Sequence, residues 1–300
     1  MFKLSRRQAL AGSLLLAPTL AAGTTLVTMP ARAGSADVAD IEGRLAALEN
    51  KQGGRLGIAI HDVASGKTFG NRLNERFLMA STFKLMLAAF VLARVDREEE
   101  QLDRRIPFTK RELVSWSPGT EKHAGGPGLT VAELCEATMT LSDNTAANLL
   151  LKSFGGPAAL TGFARSLGDE TTRHDRTEPA LNAHDGPDDE RDTTTPGAMA
   201  ETLRKLLFGD ALSRRSRDRL TAWMVTNKTG DARLRAGFPA DWLVGDKTGT
   251  SGKGHANDIG VAWPSGRGAL IVTAYCEMPK VEAKTRDATM AEIARIAASI

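Results

Sequence analysis

Ile259-Gly260-Val261-Ala262-Trp263-Pro264-Ser265-Gly266-Arg267-Gly268-Ala269-Leu270-Ile271-Val272-Thr273-Ala274-Tyr275 is the stretch that decides the fold. Two β-rich runs flank a Pro/Gly segment that favours a hairpin turn. Trp242-Leu243-Val244 adds a short β-rich run just upstream. Near the other end of the chain, Leu56, Ile58 and Ile60 alternate with smaller or polar residues, which predicts a strand. Ala64-Ser65-Gly66-Lys67 then reads as a turn into a second strand. Between these strand regions the sequence is helical in character. Thr130-Val131-Ala132-Glu133 has the form of a capping box. Gly155-Gly156-Pro157 ends one helix and starts the next. Val38, Ile41, Leu45 and Leu48 predict a first amphipathic helix, and Met290, Ile293, Ile296 and Ile300 a last one. The first and last parts of the chain should therefore share one antiparallel, five-stranded sheet flanked by helices. An all-helical segment should be inserted between them. The fold class is α/β in the α+β sense.

The 300 residues begin with Lys3, Arg6, Arg7 and Arg32, and no acid precedes residue 34. An apolar stretch from Ala9 to Val27 and the small residues of Ala31-Arg32-Ala33 complete the pattern of a secretory leader cut after Ala33. A retained anchor is the competing reading, but Gly12, Pro18, Gly23 and several threonines interrupt the apolar run. Ser5-Arg6-Arg7-Gln8-Ala9-Leu10 resembles a twin-arginine export signal; an ordinary leader with two adjacent arginines is the alternative. A periplasmic or secreted location is expected. The net charge of +3 loses four cations with the leader and becomes −1, so nothing in the mature chain argues for a nucleic-acid partner. Cys135 and Cys276 sit in apolar contexts, as buried thiols or as a disulfide. The five histidines show no metal-ligand spacing, so neither metal nor cofactor is expected.

Four segments carry chemistry. In Ser81-Thr82-Phe83-Lys84, ahead of an apolar helical run, Lys84 falls one turn after Ser81 on the same face. A desolvated lysine can act as base toward a serine nucleophile. The helix start offers free N–H groups for a developing negative charge. Ser142-Asp143-Asn144 offers a hydroxyl for proton relay and an amide for a substrate carbonyl, or simply a helix cap. Lys247-Thr248-Gly249-Thr250, following a strand, can bind a carboxylate, with Gly249 allowing close approach; a lysine on a sheet edge is the plainer reading. In Arg176-Thr177-Glu178-Pro179-Ala180-Leu181-Asn182, a carboxylate and an amide four residues apart can hold a water that Glu178 deprotonates, or Glu178 is an ordinary loop acid.

Ser-x-x-Lys, Ser-Asp-Asn and Lys-Thr-Gly in this order are signatures of class A β-lactamases and penicillin-binding proteins. The chain resembles the class A serine β-lactamases from about Asp37 to its C-terminus. The resemblance implies hydrolysis of penicillins and cephalosporins through a serine acyl-enzyme, and hence β-lactam resistance. It implies a monomer with a small-molecule β-lactam substrate and no membrane association after leader removal. Residues 37–72 plus 225–300 would form the α/β domain and 73–224 the all-α domain, with the active site between them. Ser81 is the implied nucleophile, with N–H groups of Ser81 and Thr250 as the oxyanion hole. Lys84 tunes the proton network, Ser142 passes a proton to the lactam nitrogen, and Glu178 activates the deacylating water with help from Asn182. Asn144 would hold the side-chain amide of the substrate. Lys247, Thr248 and Thr250 would hold its carboxylate beside Gly249. Trp116, in Val114-Ser115-Trp116-Ser117-Pro118, matches an aromatic at the mouth of the site; its plain reading is a core aromatic. Arg176 and Asp192 match a salt bridge that closes the loop of Glu178. That loop is one residue longer here than is common. The Glu178–Pro179 bond is cis in relatives.

Two departures stand out. The strand arginine of many members is missing from Gly254-His255-Ala256-Asn257-Asp258, and Arg233 matches the alternative used by another subset. Cys135 matches half of a disulfide whose other position is Ala88 here. The brace of some carbapenem-hydrolysing members is absent, because Ala80 and Ser251 stand at its two ends. A cell-wall transpeptidase or carboxypeptidase would share Ser81, Lys84, Ser142 and Lys247 but should lack Glu178 and Asn182. A penicillin sensor would stay acylated and usually adjoins a membrane-spanning segment.

Overall fold

The structure is a computed structural model that describes residues 38–186 and 188–300. The leader and the twin-arginine segment lie outside the described residues.

Strands β1 (Arg55–Asp62) and β2 (Thr68–Asn71) come early, and β7 (Leu243–Thr250), β8 (Ala256–Trp263) and β9 (Leu270–Glu277) come late. They form one five-stranded sheet in the order β2-β1-β9-β8-β7, antiparallel throughout. β1 pairs with β9 from Arg55↔Glu277 to Asp62↔Leu270, so the two ends of the chain meet at the centre of the sheet. Between β2 and β7 lie two short ladders, β3 (Phe77–Leu78) with β6 (Thr193–Thr194) and β4 (Arg105–Ile106) with β5 (Leu129–Thr130).

Both faces of the sheet are covered, so consecutive residues of β1, β8 and β9 are buried whichever way their side chains point. On one face Leu56, Ile58, Ile60, Val272, Ala274 and Cys276 pack with Ile41 and Leu45 of α1 (Val38–Gln52) and Met290 and Ile293 of α9 (Ala283–Ala298). On the other, Ala59, Ile259, Val261, Ile271 and Tyr275 join the larger core of the helical segment. Its axis is α2 (Phe83–Asp96), buried continuously from Phe83 to Ala93. A helix apolar on every side has to lie inside a bundle. Around it come α3 (Val131–Thr140), α4 (Asn144–Ser153), α5 (Gly156–Ser166) and α7 (Arg214–Val225), while α6 (Pro196–Phe208) packs on β9 and β1. The short α8 (Leu234–Gly237) packs on α9.

The Thr130 capping box forms as expected, with Thr130 Oγ1 accepting from Glu133 N–H and the Glu133 carboxylate accepting from Thr130 N–H. Three local readings need correction. Lys247-Thr248-Gly249 lies inside β7 rather than after it, because pairing with the long β8 extends the strand well past its apolar start. Val38 is exposed at the first turn of α1. Ile300 lies just beyond the end of α9. The two cysteines are free and buried in the separate cores. Burial raises both thiols, Cys276 to about 12.

Candidate active site

Ser81 lies in a 3-10 turn, Ala80–Thr82, that leads straight into α2. The turn is held in an unusual shape. Ala80 is fully buried at φ 46°, a region that disfavours a residue with a Cβ. Asn257 Nδ2, from β8, donates to the carbonyls of Leu78 and Met79 at 2.7 and 3.0 Å. Gly249 of β7 presses against the same turn. A Cβ there would come within 2.7 Å of Met79 O and 3.1 Å of Ser81 N, so only glycine fits without a shift.

Lys84, one turn along, is fully buried. Its Nζ donates to Ser81 Oγ at 2.9 Å, Ser142 O at 2.8 Å, Ser142 Oγ at 3.3 Å and Asn144 Oδ1 at 2.5 Å. Glu178 Oε1 lies 3.1 Å away. Burial lowers the lysine's proton affinity, and the Glu178 carboxylate partly opposes this.

In Ser142-Asp143-Asn144 the helix-cap reading holds for Asp143, and its two neighbours line the cleft. Asp143 caps α4 by accepting from Ala146 N–H, and it also accepts from Gly119 N–H and Thr120 N–H. The residues on either side are thereby turned to the cleft. Ser142, at φ 57°, places its Oγ between two lysines, 3.3 Å from Lys84 Nζ and 3.1 Å from Lys247 Nζ. Lys247 is fully buried, and burial, then the charge of Lys84, lowers its pKa to about 7.

Glu178 is buried on the opposite wall. Its Oε1 accepts from Ser81 Oγ at 3.1 Å and its Oε2 from Asn182 Nδ2 at 2.7 Å. The Glu178–Pro179 bond is cis. Arg176 Nε donates to Asp192 Oδ2 at 2.6 Å, while Asp192 Oδ1 accepts the N–H groups of Asp175 and Arg176. The loop of residues 176–192 is therefore closed at its base.

A cleft of about 390 Å³ is lined by Ser81, Trp116, Ser142, Asn144, Glu178, Asn182, Thr229, Arg233, Thr248 and Thr250. Lys84, Lys247 and Gly249 do not line it: the two lysines lie beneath the serines, and Gly249 lies against the Ser81 turn. Trp116 is 64 % exposed, so the core reading fails; its Nε1 donates to Leu141 O. Arg233 reaches Thr250 Oγ1 at 2.8 Å, with its other bonds to Gly249 O, Asn257 O and Asp287.

Three contributors were not singled out from the sequence: Asn257, Thr229 and Asn148. Thr229 Oγ1 and Thr248 Oγ1 share a hydrogen bond of 2.5 Å. Asn148 brackets the backbone of Glu178, accepting from its N–H at 2.9 Å and donating to its C=O at 2.8 Å. A polar, poorly helix-forming residue inside α4 was the available signal. Among the described residues no group of His, Cys, Asp and Glu is placed to hold a metal ion.

The model of the β-lactamase enzyme family matches residues 40–300. β-Lactamase L2 of Stenotrophomonas maltophilia is 46% identical over 292 residues, covering 96% of this chain and 94% of its own. The chain belongs to the β-lactamase enzyme family. β-Lactamase OXY-2 of Klebsiella oxytoca is 47% identical, over 85% of this chain and 88% of its own. Among solved structures, an ancestral (GNCA) class A β-lactamase superposes with a TM-score of 0.83 at 61% identity, covering 85% of this chain and 98% of that one. A putative class A β-lactamase, PenP from Rhodopseudomonas palustris, gives a TM-score of 0.84 at 56% identity, covering 86% and 98%. The fold is thus that of the class A enzymes, and the activity is that of a β-lactam hydrolase.

Proposed function

We propose that this β-lactamase opens penicillins and cephalosporins through an ester on Ser81 and clears that ester with a water activated by Glu178. The observation that carries the reading is the position of Ser81 Oγ, 2.9 Å from Lys84 Nζ and 3.1 Å from Glu178 Oε1. A hydroxyl between a buried amine and a buried carboxylate has two groups able to take its proton.

In acylation, Ser81 Oγ attacks the lactam carbonyl carbon and its proton leaves to the Lys84–Glu178 pair. The N–H groups of Ser81 and Thr250 stabilise the oxyanion. As the C–N bond breaks, Ser142 Oγ gives its proton to the lactam nitrogen and is resupplied by a neighbouring lysine. Lys247, Thr248, Thr250 and Arg233 hold the substrate carboxylate, Asn144 its side-chain amide, and Trp116 borders the entrance. In deacylation, Glu178 takes a proton from a water positioned with Asn182. That water attacks the ester carbon, the bond from that carbon to Ser81 Oγ breaks, and the proton taken by Glu178 returns to Ser81 Oγ directly or through Lys84. Glu178 and Asn182 separate this reading from a transpeptidase, which would have no such pair.

We assign residues 1–33 as an export leader of twin-arginine type, giving a periplasmic or secreted monomer. Residues 37–72 with 225–300 are assigned to an α/β domain and 73–224 to an all-α domain. Among the described residues no helix is long and apolar enough to cross a membrane. The test is turnover of a chromogenic cephalosporin with chelator present. The expected result is multiple turnovers for the native protein and none for Ser81→Ala. Turnover by Ser81→Ala, or loss of native turnover on chelation, would refute the serine route.

A further inference from the structure

Behind Lys247, on the far side of β7 from the reacting serine, two carboxylates are buried together. Asp246 and Asp258 are both fully inaccessible to solvent. In the β7–β8 ladder Asp246 stands opposite Gly260, and Thr248 stands opposite Asp258. The two acids are therefore diagonal neighbours on one face of adjacent strands, a spacing that side chains can bridge. Each uses only one oxygen. Asp246 Oδ1 accepts from Asn227 Nδ2 at 3.1 Å and from Arg235 Nη2 at 2.5 Å. Asp258 Oδ2 accepts from Leu234 N–H at 3.1 Å. The second oxygens, Asp246 Oδ2 and Asp258 Oδ1, are buried without a hydrogen-bond donor among the described residues. Gly230 closes over Asp246 so tightly that a Cβ there would lie 1.6 Å from Oδ2.

Two ionised carboxylates in such a place would leave two lone-pair sets unsatisfied and two like charges unscreened. One proton removes both problems, because it turns a pair of acceptors into a donor and an acceptor. We propose that Asp246 and Asp258 hold a single proton between them, carried by Asp258 and donated to the free oxygen of Asp246. The pair then presents one negative charge behind Lys247, and Asp246 and Asp258 act as positioning residues for that lysine. This last part rests on the carboxylate-binding role proposed for Lys247.

The proton belongs on Asp258 for a structural reason. Asp246 has the Arg235 guanidinium on it, whereas Asp258 has one backbone N–H. The charges facing the pair are Arg235 and Lys247 for Asp246, and Arg233, Lys247 and Asp246 itself for Asp258. Burial raises both acids, and for Asp258 the neighbouring Asp246 adds to the effect. A single negative charge offsets part of the burial and of the Lys84 repulsion that together disfavour the Lys247 ammonium.

The experiment is carbon-13 NMR of the native enzyme labelled at the aspartate carboxyl carbons, titrated through neutrality without substrate. One aspartate resonance should keep the shift of a protonated or proton-sharing carboxyl at pH 7, and it should vanish in Asp258→Asn. Full ionisation of every aspartate at pH 7 would overturn the proposal, whatever the enzyme's activity. The kinetic companion is the pH profile of kcat/KM. Asp258→Asn, whose amide donates in place of the acid, should keep the alkaline limb in place. Asp246→Asn, which removes the charge, should move it to lower pH by about one unit and raise KM more than it lowers kcat. A shift of the limb in Asp258→Asn equal to that in Asp246→Asn would show two ionised acids and refute the shared proton. A folded Asp246→Asn with an unmoved limb would refute the positioning role while leaving the NMR result to decide the proton.

Discussion

Replacing Asn148 by Ala removes the only side chain that hydrogen-bonds both the N–H and the C=O of Glu178 among the described residues. Glu178 is 3 % exposed, so neither backbone group recovers its partner from bulk water without opening the loop. An unsatisfied buried polar group costs about 1–3 kcal/mol. With partial relaxation, the pair should destabilise the protein by roughly 2–4 kcal/mol, a fall in Tm of roughly 4–8 °C for a chain of this size. The chemical effect should be selective. Ser81, Lys84 and Ser142 keep their mutual bonds, because none of them runs through Asn148. The Glu178 carboxylate loses its anchor, and a displacement of about 1 Å costs about a hundredfold in rate. Deacylation should therefore slow far more than acylation, and acyl-enzyme should build up during turnover. Thermal unfolding reads the first effect and quenched-flow mass spectrometry the second. Asn148→Asp, which accepts from the Glu178 N–H but cannot donate to its C=O, should fall between the two. An Asn148→Ala enzyme with unchanged Tm and no acyl-enzyme accumulation would refute the reasoning.

Three further outcomes follow from the same geometry. His174 is buried and its Nε2 has no hydrogen-bond partner among the described residues, and burial lowers its pKa from 6.5 to about 4. The folded state then binds this proton more weakly than the unfolded chain, so stability is lost as pH falls from about 6.5 through about 4, by about 3 kcal/mol in full. His174→Phe should flatten denaturant midpoints over that window, and an unchanged slope would count against the assignment. Arg233→Ala should raise KM for a carboxylate-bearing β-lactam about tenfold or more with a smaller change in kcat, since a charged hydrogen-bond donor is lost at Thr250; an unchanged KM would remove Arg233 from the binding site. Arg176→Ala should leave the buried Asp192 without its cation. Hydrogen exchange should then rise across residues 176–192 while α2 stays protected; uniform exchange would contradict the loop's independence.

Much of this was legible in the sequence because the informative features are local. Ser-x-x-Lys announces itself through helical spacing, and Thr130-Val131-Ala132-Glu133 through capping chemistry. The hairpin of β8 and β9 is visible in its turn residues. What stayed hidden is carried by contacts between distant segments. Asn257 supports the Ser81 turn from 179 residues away, to the Leu78 carbonyl, and nothing around Asn257 in the chain signals this. Asn148 looks like an ordinary polar position on a helix until the loop bearing Glu178 is folded over it. Lys-Thr-Gly reads as following its strand because propensity fades at Gly245-Asp246, while pairing with β8 continues to Thr250. Trp116 is open between mouth and core in the sequence, and its exposure rules out the core. The buried pair of Asp246 and Asp258 likewise exists only in the ladder register.

The central claim is that one residue makes the ester and another clears it. Its most direct measurement is intact mass and peptide mapping of Glu178→Ala mixed with a penicillin. A stable adduct with the full mass of the substrate, mapped to the peptide that carries Ser81, is the predicted result. An unmodified protein that still turns over at the native rate, or an adduct on any other residue, would contradict it.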